Sequence, residues 1–248
     1  MILIFRNMKS KYSWIAKNED YYKLSGRVTE KSTKTRNTFI KANILDNLKI
    51  NYFNKNGSVL VDVGCGDGSL ASELKIYFSN VILTVLTKEE EYVLKKKRVE
   101  DILVCNSHTI PLKDNSVDFI ICNSVLHSHE IDLNRSIREF NRILKKGGIL
   151  FIGEMRTKNT IKILDIKNSF DYLLKGSKIY GSRFFWITAI KLVSAKLNVT
   201  NFIINAMPEN WLSANQFSEL VAEMGFEISG TYIVNKEVGI YDYILRKL

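Results

Sequence analysis

Three glycines stand at alternate positions in "VLVDVGCGDGSL", Val59 to Leu70, directly after an apolar, β-branched run and directly before a helix-like segment. Glycine costs stability inside strands and helices alike, so such a cluster needs a reason. The pattern predicts a buried strand, a sharp turn and a helix, with the backbone of the turn left bare so that a ligand can approach it. The spacing is G-x-G-x-G, not the G-x-G-x-x-G of a dinucleotide fold. No Lys-Ser/Thr follows, so the segment is not a P-loop. The plain alternative is a tight strand-to-helix turn with no ligand.

Around this turn strands and helices alternate. "SVLVDV" reads as a buried strand and "GSLASELKIYF" as a helix. "NVILTVLT" and "KEEEYVLKKKRV" repeat the pair, and "DILVC" is a short third strand. After the turn-rich "IPLKDNS", "VDFIICNS" is a fourth strand. "DLNRSIREFNRIL" is a helix that should stop at "KKGG", and "ILFIGEM" is a fifth strand. Near-continuous apolar strands separated by helices mean a parallel sheet covered on both faces. The last two runs, "FEISGTYIV" and "GIYDYILRK", lie too close in sequence for a parallel crossover and should pair antiparallel. Upstream, Phe39, Ile40, Ile44, Leu45 and Leu48 recur at helical spacing and predict one apolar stripe.

The chain has 248 residues and a formal net charge of +10. That charge admits an anionic partner, but the Lys residues are spread along the chain and read as solvated faces. Cys65, Cys105 and Cys122 form no C-x-x-C pair and sit in apolar, strand-like contexts, which predicts reduced, buried thiols in a cytoplasmic protein. With three histidines and no ligand spacing, no metal site is expected. "MILIF" is too short for a secretory leader, and Lys191 and Lys196 break the most apolar stretch, Arg183 to Ile204, so no transmembrane segment is expected.

"VLVDVGCGDGSLASEL" resembles motif I of the class I S-adenosylmethionine-dependent methyltransferases. "CNSHTIPLKDNSVDFIICNSVLHSH" and "REFNRILKKGGILFIGE" resemble that family's later motifs, in the same order. The likeness covers roughly Val59 to Glu154 and is similar to the subgroup that holds the ubiquinone and menaquinone methyltransferases. It implies an α/β fold: a Rossmann-like, doubly wound, seven-stranded, mostly parallel sheet with an antiparallel last strand, plus a helical insertion or lid. It implies S-adenosylmethionine as cofactor and S-adenosylhomocysteine as product. Gly64, Gly66 and Gly68, with Cys65 between them, would face the methionine and ribose part, and Asp62 would hold the ammonium. Asn123 and Ser124 would lie near the sulfonium, and Ser107, His108 and Thr109 near the adenine. Two positions depart from the pattern. Leu86 stands where an acid usually binds the ribose hydroxyls, with Thr87, Glu89 and Glu90 nearby; Glu89 is the expected substitute. Asn106 stands where an Asp would accept from the adenine amino group, and it keeps an acceptor oxygen.

Methyl transfer from a sulfonium is an in-line displacement in which positioning supplies most of the catalysis. His127, just past the fourth strand, is the candidate base, with His129 and Glu130 in reserve. The expected organisation is an N-terminal helical lid over 1–50, the cofactor-binding core over 51–156, a helical insertion over 157–210 and a closing helix and hairpin over 211–248. Tyr21, Tyr22 and Trp186 are the candidate walls of the acceptor pocket. The expected partner is a small-molecule acceptor, methylated on oxygen or nitrogen rather than carbon, with homodimer contact a further use for the aromatic insertion. Nucleic acid is disfavoured, since "LKKKRVE" lies away from the strand ends. The alternatives are a tRNA or rRNA methyltransferase and a degenerate homologue that only binds the cofactor.

Overall fold

The computed structural model describes residues 30–48, 57–126, 131–156, 212–235 and 240–248. In chain order these form α1 (Glu30–Leu48), β1 (Val59–Val63), α2 (Ser69–Leu74), β2 (Asn80–Val85), α3 (Lys88–Lys96) and β3 (Ile102–Val104). There follow β4 (Val117–Asn123), α4 (Leu133–Ile143), β5 (Leu144–Arg156), α5 (Ala214–Glu223), β6 (Phe226–Asn235) and β7 (Ile240–Lys247). One seven-stranded sheet runs β3-β2-β1-β4-β5-β7-β6. β1 to β5 pair in parallel, while β7 is antiparallel to both of its neighbours. The strand order reverses direction between β1 and β4, which is where an open α/β sheet leaves a crevice at its carboxyl ends.

Alternation along each strand sends side chains into two cores. On one face, Val61, Val63, Ile120, Leu150 and Ile152 pack under α4 and α5. α4 earns its place through Leu133, Ile137, Phe140 and Ile143, a helical stripe that is almost wholly buried. On the other face, Leu60, Phe119, Ile121, Ile149, Phe151 and Ile244 pack under α1, α2 and α3 through Ile40, Ile44, Leu70, Leu74 and Leu94.

Two sequence expectations need correction. The stripe of α1 is not purely apolar: Phe39 is 37% exposed and lies edge-on to Tyr232. The helix turns Arg36, Asn37, Ile40, Asn43 and Ile44 inward, because one end of it lies over the polar strand ends. α4 stops at Ile143, before "KKGG". Leu144 is already extended, buried and paired with Val117, and Lys145 ties back to Asp118 from within β5.

Candidate active site

β1 ends in three consecutive left-handed glycines, separated by single residues: Gly64, Gly66 and Gly68, at φ 67, 58 and 75°. A Cβ at Gly64 would stand 2.6 Å from Val125 Cγ2, so the end of β4 crosses too closely for any other residue. A Cβ at Gly66 would meet nothing within 4 Å, so there the backbone faces open space. The turn is anchored to β2, since the Gly64 and Cys65 amides both donate to the Thr84 carbonyl. At the start of α2, Asp67 Oδ1 accepts from the amide and the hydroxyl of Ser69.

Asp62 sits in β1 on the same face as Leu60, only 3% exposed. Its Oδ2 has no hydrogen-bond partner. Burial, with a smaller push from Asp67, raises its carboxyl to about 7. A buried carboxylate oxygen left without a donor is costly, and a cationic ligand group would satisfy it.

At the end of β2, Thr87 is the buried N-cap of α3. The carboxylate of Glu90, in the first turn of α3, reaches back to the end of β2. Glu90 Oε2 accepts from the Leu86 amide, the Thr87 amide and the Thr87 hydroxyl. Burial raises the Glu90 pKa against those hydrogen bonds. The capping box T-x-x-E was the sequence signal for this contact.

Beside the glycine turn opens a cleft bordered by Gly64, Leu86, Asn106, Ser107, His108 and Val125. Thr109 is exposed and bridges to Asn106 instead of lining it. α4 fixes this loop at successive points. Ser136 Oγ meets Ser107 Oγ at 2.8 Å, Glu139 accepts from the Ile110 amide, and Arg142 donates to the Ile110 and Leu112 carbonyls. Of the cysteines, Cys65 and Cys122 are buried and Cys105 is half-buried at the cleft; burial pushes the Cys105 thiol up to about 11, so it is no nucleophile.

Past the methyl-donor side, the face of the sheet beneath α1 changes character. Phe119 and Ile121 give way to Asn123 along β4, Ile149 and Phe151 to Gly153 along β5, and Ile244 to Asp242 along β7. Asp242 is fully buried. It accepts both terminal nitrogens of Arg36, at 2.7 and 2.8 Å, and the Glu154 amide at 2.9 Å. Arg36 Nη2 also donates to Asn123 Oδ1, so the amide group expected near the sulfonium is held by α1. Asp242 and Arg36 escaped the sequence reading. A lone acid in the apolar "IYDYIL" was the available signal.

His127, Tyr21, Tyr22 and Trp186 lie outside the described residues. So do His129 and Glu130, the lid segment before residue 30 and the expected insertion. Among the described residues no group of three or more His, Cys, Asp or Glu could hold a metal. No described helix is long and apolar enough to cross a membrane.

A 3-2-1-4-5-7-6 sheet with a glycine turn after β1 is the fold of the class I S-adenosylmethionine-dependent methyltransferases. Residues 61–152 match the family model described as a methyltransferase domain. Over 189 residues the chain is 26% identical to a demethylmenaquinone methyltransferase of Thermotoga maritima, covering 75% of this chain and 77% of that one. It is 32% identical over 123 residues to an uncharacterized protein of Methanocaldococcus jannaschii, covering 50% of this chain but only 45% of that one. Among solved structures, a putative S-adenosylmethionine-dependent methyltransferase of Methanococcus maripaludis shares the fold at a TM-score of 0.52 and 22% identity, covering 100% of this chain and 97% of that one. A Methanosarcina mazei methyltransferase aligns at 0.55 and 17%, covering 81% and 97%.

The cofactor of this domain class is S-adenosylmethionine, and the residues present fit it. Asp62 Oδ2 lacks a donor among the described residues, the Gly66 backbone is open, and the cleft borders the same turn at Val63 and Gly64.

Proposed function

We propose that the chain transfers a methyl group from S-adenosylmethionine to a small-molecule acceptor, on oxygen or nitrogen. The observation that carries the cofactor half is the unpartnered, 97%-buried Asp62 beside the bare glycine turn. When bound, S-adenosylmethionine supplies an already activated methyl, so the protein's task is to hold and orient. Asp62 holds the ammonium through a charge-assisted hydrogen bond. The turn from Gly64 to Gly68 admits the methionine and ribose part. Asn106, Ser107 and His108 border the adenine, and Glu90 stands in for the missing ribose acid. Asn123 and Ser124 close the donor side at the end of β4. His127, four residues past that end, takes the acceptor's proton, and Tyr21, Tyr22 and Trp186 wall the acceptor.

The small-molecule reading is supported by the relatives, among them the demethylmenaquinone methyltransferase and a ubiquinone biosynthesis O-methyltransferase of Pelagibacter ubique that is 28% identical over 144 residues. A yeast 25S rRNA adenine methyltransferase, 31% identical over 107 residues but matched over only 26% of its own length, keeps the RNA reading as the second. The discriminating experiment feeds methyl-tritiated S-adenosylmethionine to the protein with a cell extract split into RNA and low-molecular-weight fractions. Label in the small-molecule fraction is expected. Label in RNA alone would replace this reading with the second, and no label in either would leave a cofactor-binding homologue.

A further inference from the structure

The cluster under α1 has an imbalance that the cofactor does not use. Arg36 is its one described cation. Asp242 takes both terminal nitrogens of the guanidinium, and with the Glu154 amide it has three donors on two oxygens. Among the described residues the Glu154 carboxylate meets only Arg36 Nε, at 3.4 Å and without a hydrogen bond. One positive charge therefore faces two carboxylates, and the under-satisfied one is the accessible one: Glu154 is 30% exposed, Asp242 not at all.

The backbone holds Glu154 in this place at some cost. It stands at φ 58°, in the left-handed region, where the β5–β7 register shifts between Ile152 and Met155. Ser124, at φ 57°, ends β4 beside it and donates to the Gly153 carbonyl. Gly153 itself can carry no side chain, since a Cβ there would collide with Asn123 Oδ1 and crowd Arg36 Nη2. Non-glycine residues in this region are strained and persist where the surroundings over-determine them. Here Asp242 supplies that constraint by gripping the Glu154 amide. A purely structural ion pair would need neither the bulge nor an accessible carboxylate.

The position is at the carboxyl end of β5, next to the strand end assigned to the methyl donor. On the methyltransferase reading above, this is the acceptor's side of the transfer. We propose that Glu154 is an acceptor-binding residue and that the acceptor it selects is an amine, met as a cation or as an N–H donor by this carboxylate. Arg36 and Asp242 are the positioning residues that hold it there. An anionic acceptor would meet the net negative charge of the cluster and be repelled.

The test uses the full chain saturated with S-adenosylhomocysteine. It is titrated calorimetrically with matched pairs of probes, ethylamine against ethanol and phenethylamine against 2-phenylethanol, in the wild type and in Glu154→Gln. The expected result is that the wild type prefers the amine of a pair, and that Glu154→Gln weakens amine binding by about tenfold or more. Its affinity for S-adenosylhomocysteine should stay within about twofold and its melting temperature should be near wild type. Three results would overturn the proposal: no amine preference in the wild type, an undiminished preference in Glu154→Gln, or a loss of S-adenosylhomocysteine affinity in that variant, which would move Glu154 to the cofactor. A wild type that binds no S-adenosylhomocysteine at all is a different failure, that of the methyltransferase reading itself.

Discussion

Asp62 shows how a single residue records a missing ligand. Its carboxyl is raised from 3.8 to about 7 by burial and by Asp67. The folded chain therefore binds this proton more tightly than the unfolded chain does. The stability owed to Asp62 is full below about pH 4 and is lost as the pH climbs through about 7. A cofactor ammonium favours the ionised carboxylate, so binding should release a proton below neutrality. Affinity for S-adenosylhomocysteine should rise by up to about tenfold per pH unit between about pH 5 and 7, then level off. Calorimetry in two buffers of different ionisation heat would detect the released proton. In Asp62→Asn the proton release should vanish and binding should weaken; a pH profile identical to wild type would remove Asp62 from the ammonium site. Asp62 became a candidate for the ammonium through the family resemblance carried by the residues around it. That it is unpartnered was not legible, because only packing decides which donors reach a buried oxygen.

At the scale of elements, α1 does more than cover the sheet. Ile40 and Ile44 bury its apolar side, while Arg36 closes a polar row contributed by β4, β5 and β7. Removing one partner of a buried, hydrogen-bonded ion pair strands the other charge, at a typical cost of about 3–5 kcal/mol. Asp242→Ala should therefore lower the urea-unfolding free energy by about that much. A loss under about 1 kcal/mol would mean that α1 is not tied down through Arg36. The strands and their parallel pairing were readable from apolar runs and helix alternation, and the two final runs do pair antiparallel. What escaped was the long-range traffic. Arg36 and Asp242 are 206 positions apart, and no periodicity within either segment announces the other. The same holds for α4, where "REFNR" was visible as a helix but not as the clamp on the loop at Asn106 to Leu112. The reach of Glu90 was different: the capping box spelled it out locally.

For the whole molecule, the glycine turn, the strand order and the crevice between β1 and β4 agree on one class, and the match over residues 61–152 agrees with them. The parts that would distinguish one methyltransferase from another lie elsewhere, in the segments flanking that domain. There the sequence places the candidate acceptor residues Tyr21, Tyr22 and Trp186, at positions where packing and recognition draw on the same residue types. The central claim is that S-adenosylmethionine lies against the backbone between Gly64 and Gly68, and isothermal titration of the wild type beside Gly66→Val tests it most directly. Gly66 stands at φ 58° with open space before it, so valine there both strains the turn and fills the ligand's approach. The account predicts one-to-one binding of S-adenosylmethionine to the wild type and none to Gly66→Val, with a native-like circular dichroism spectrum in both. Equal affinity in the two, or a folded wild type that binds none, would contradict it.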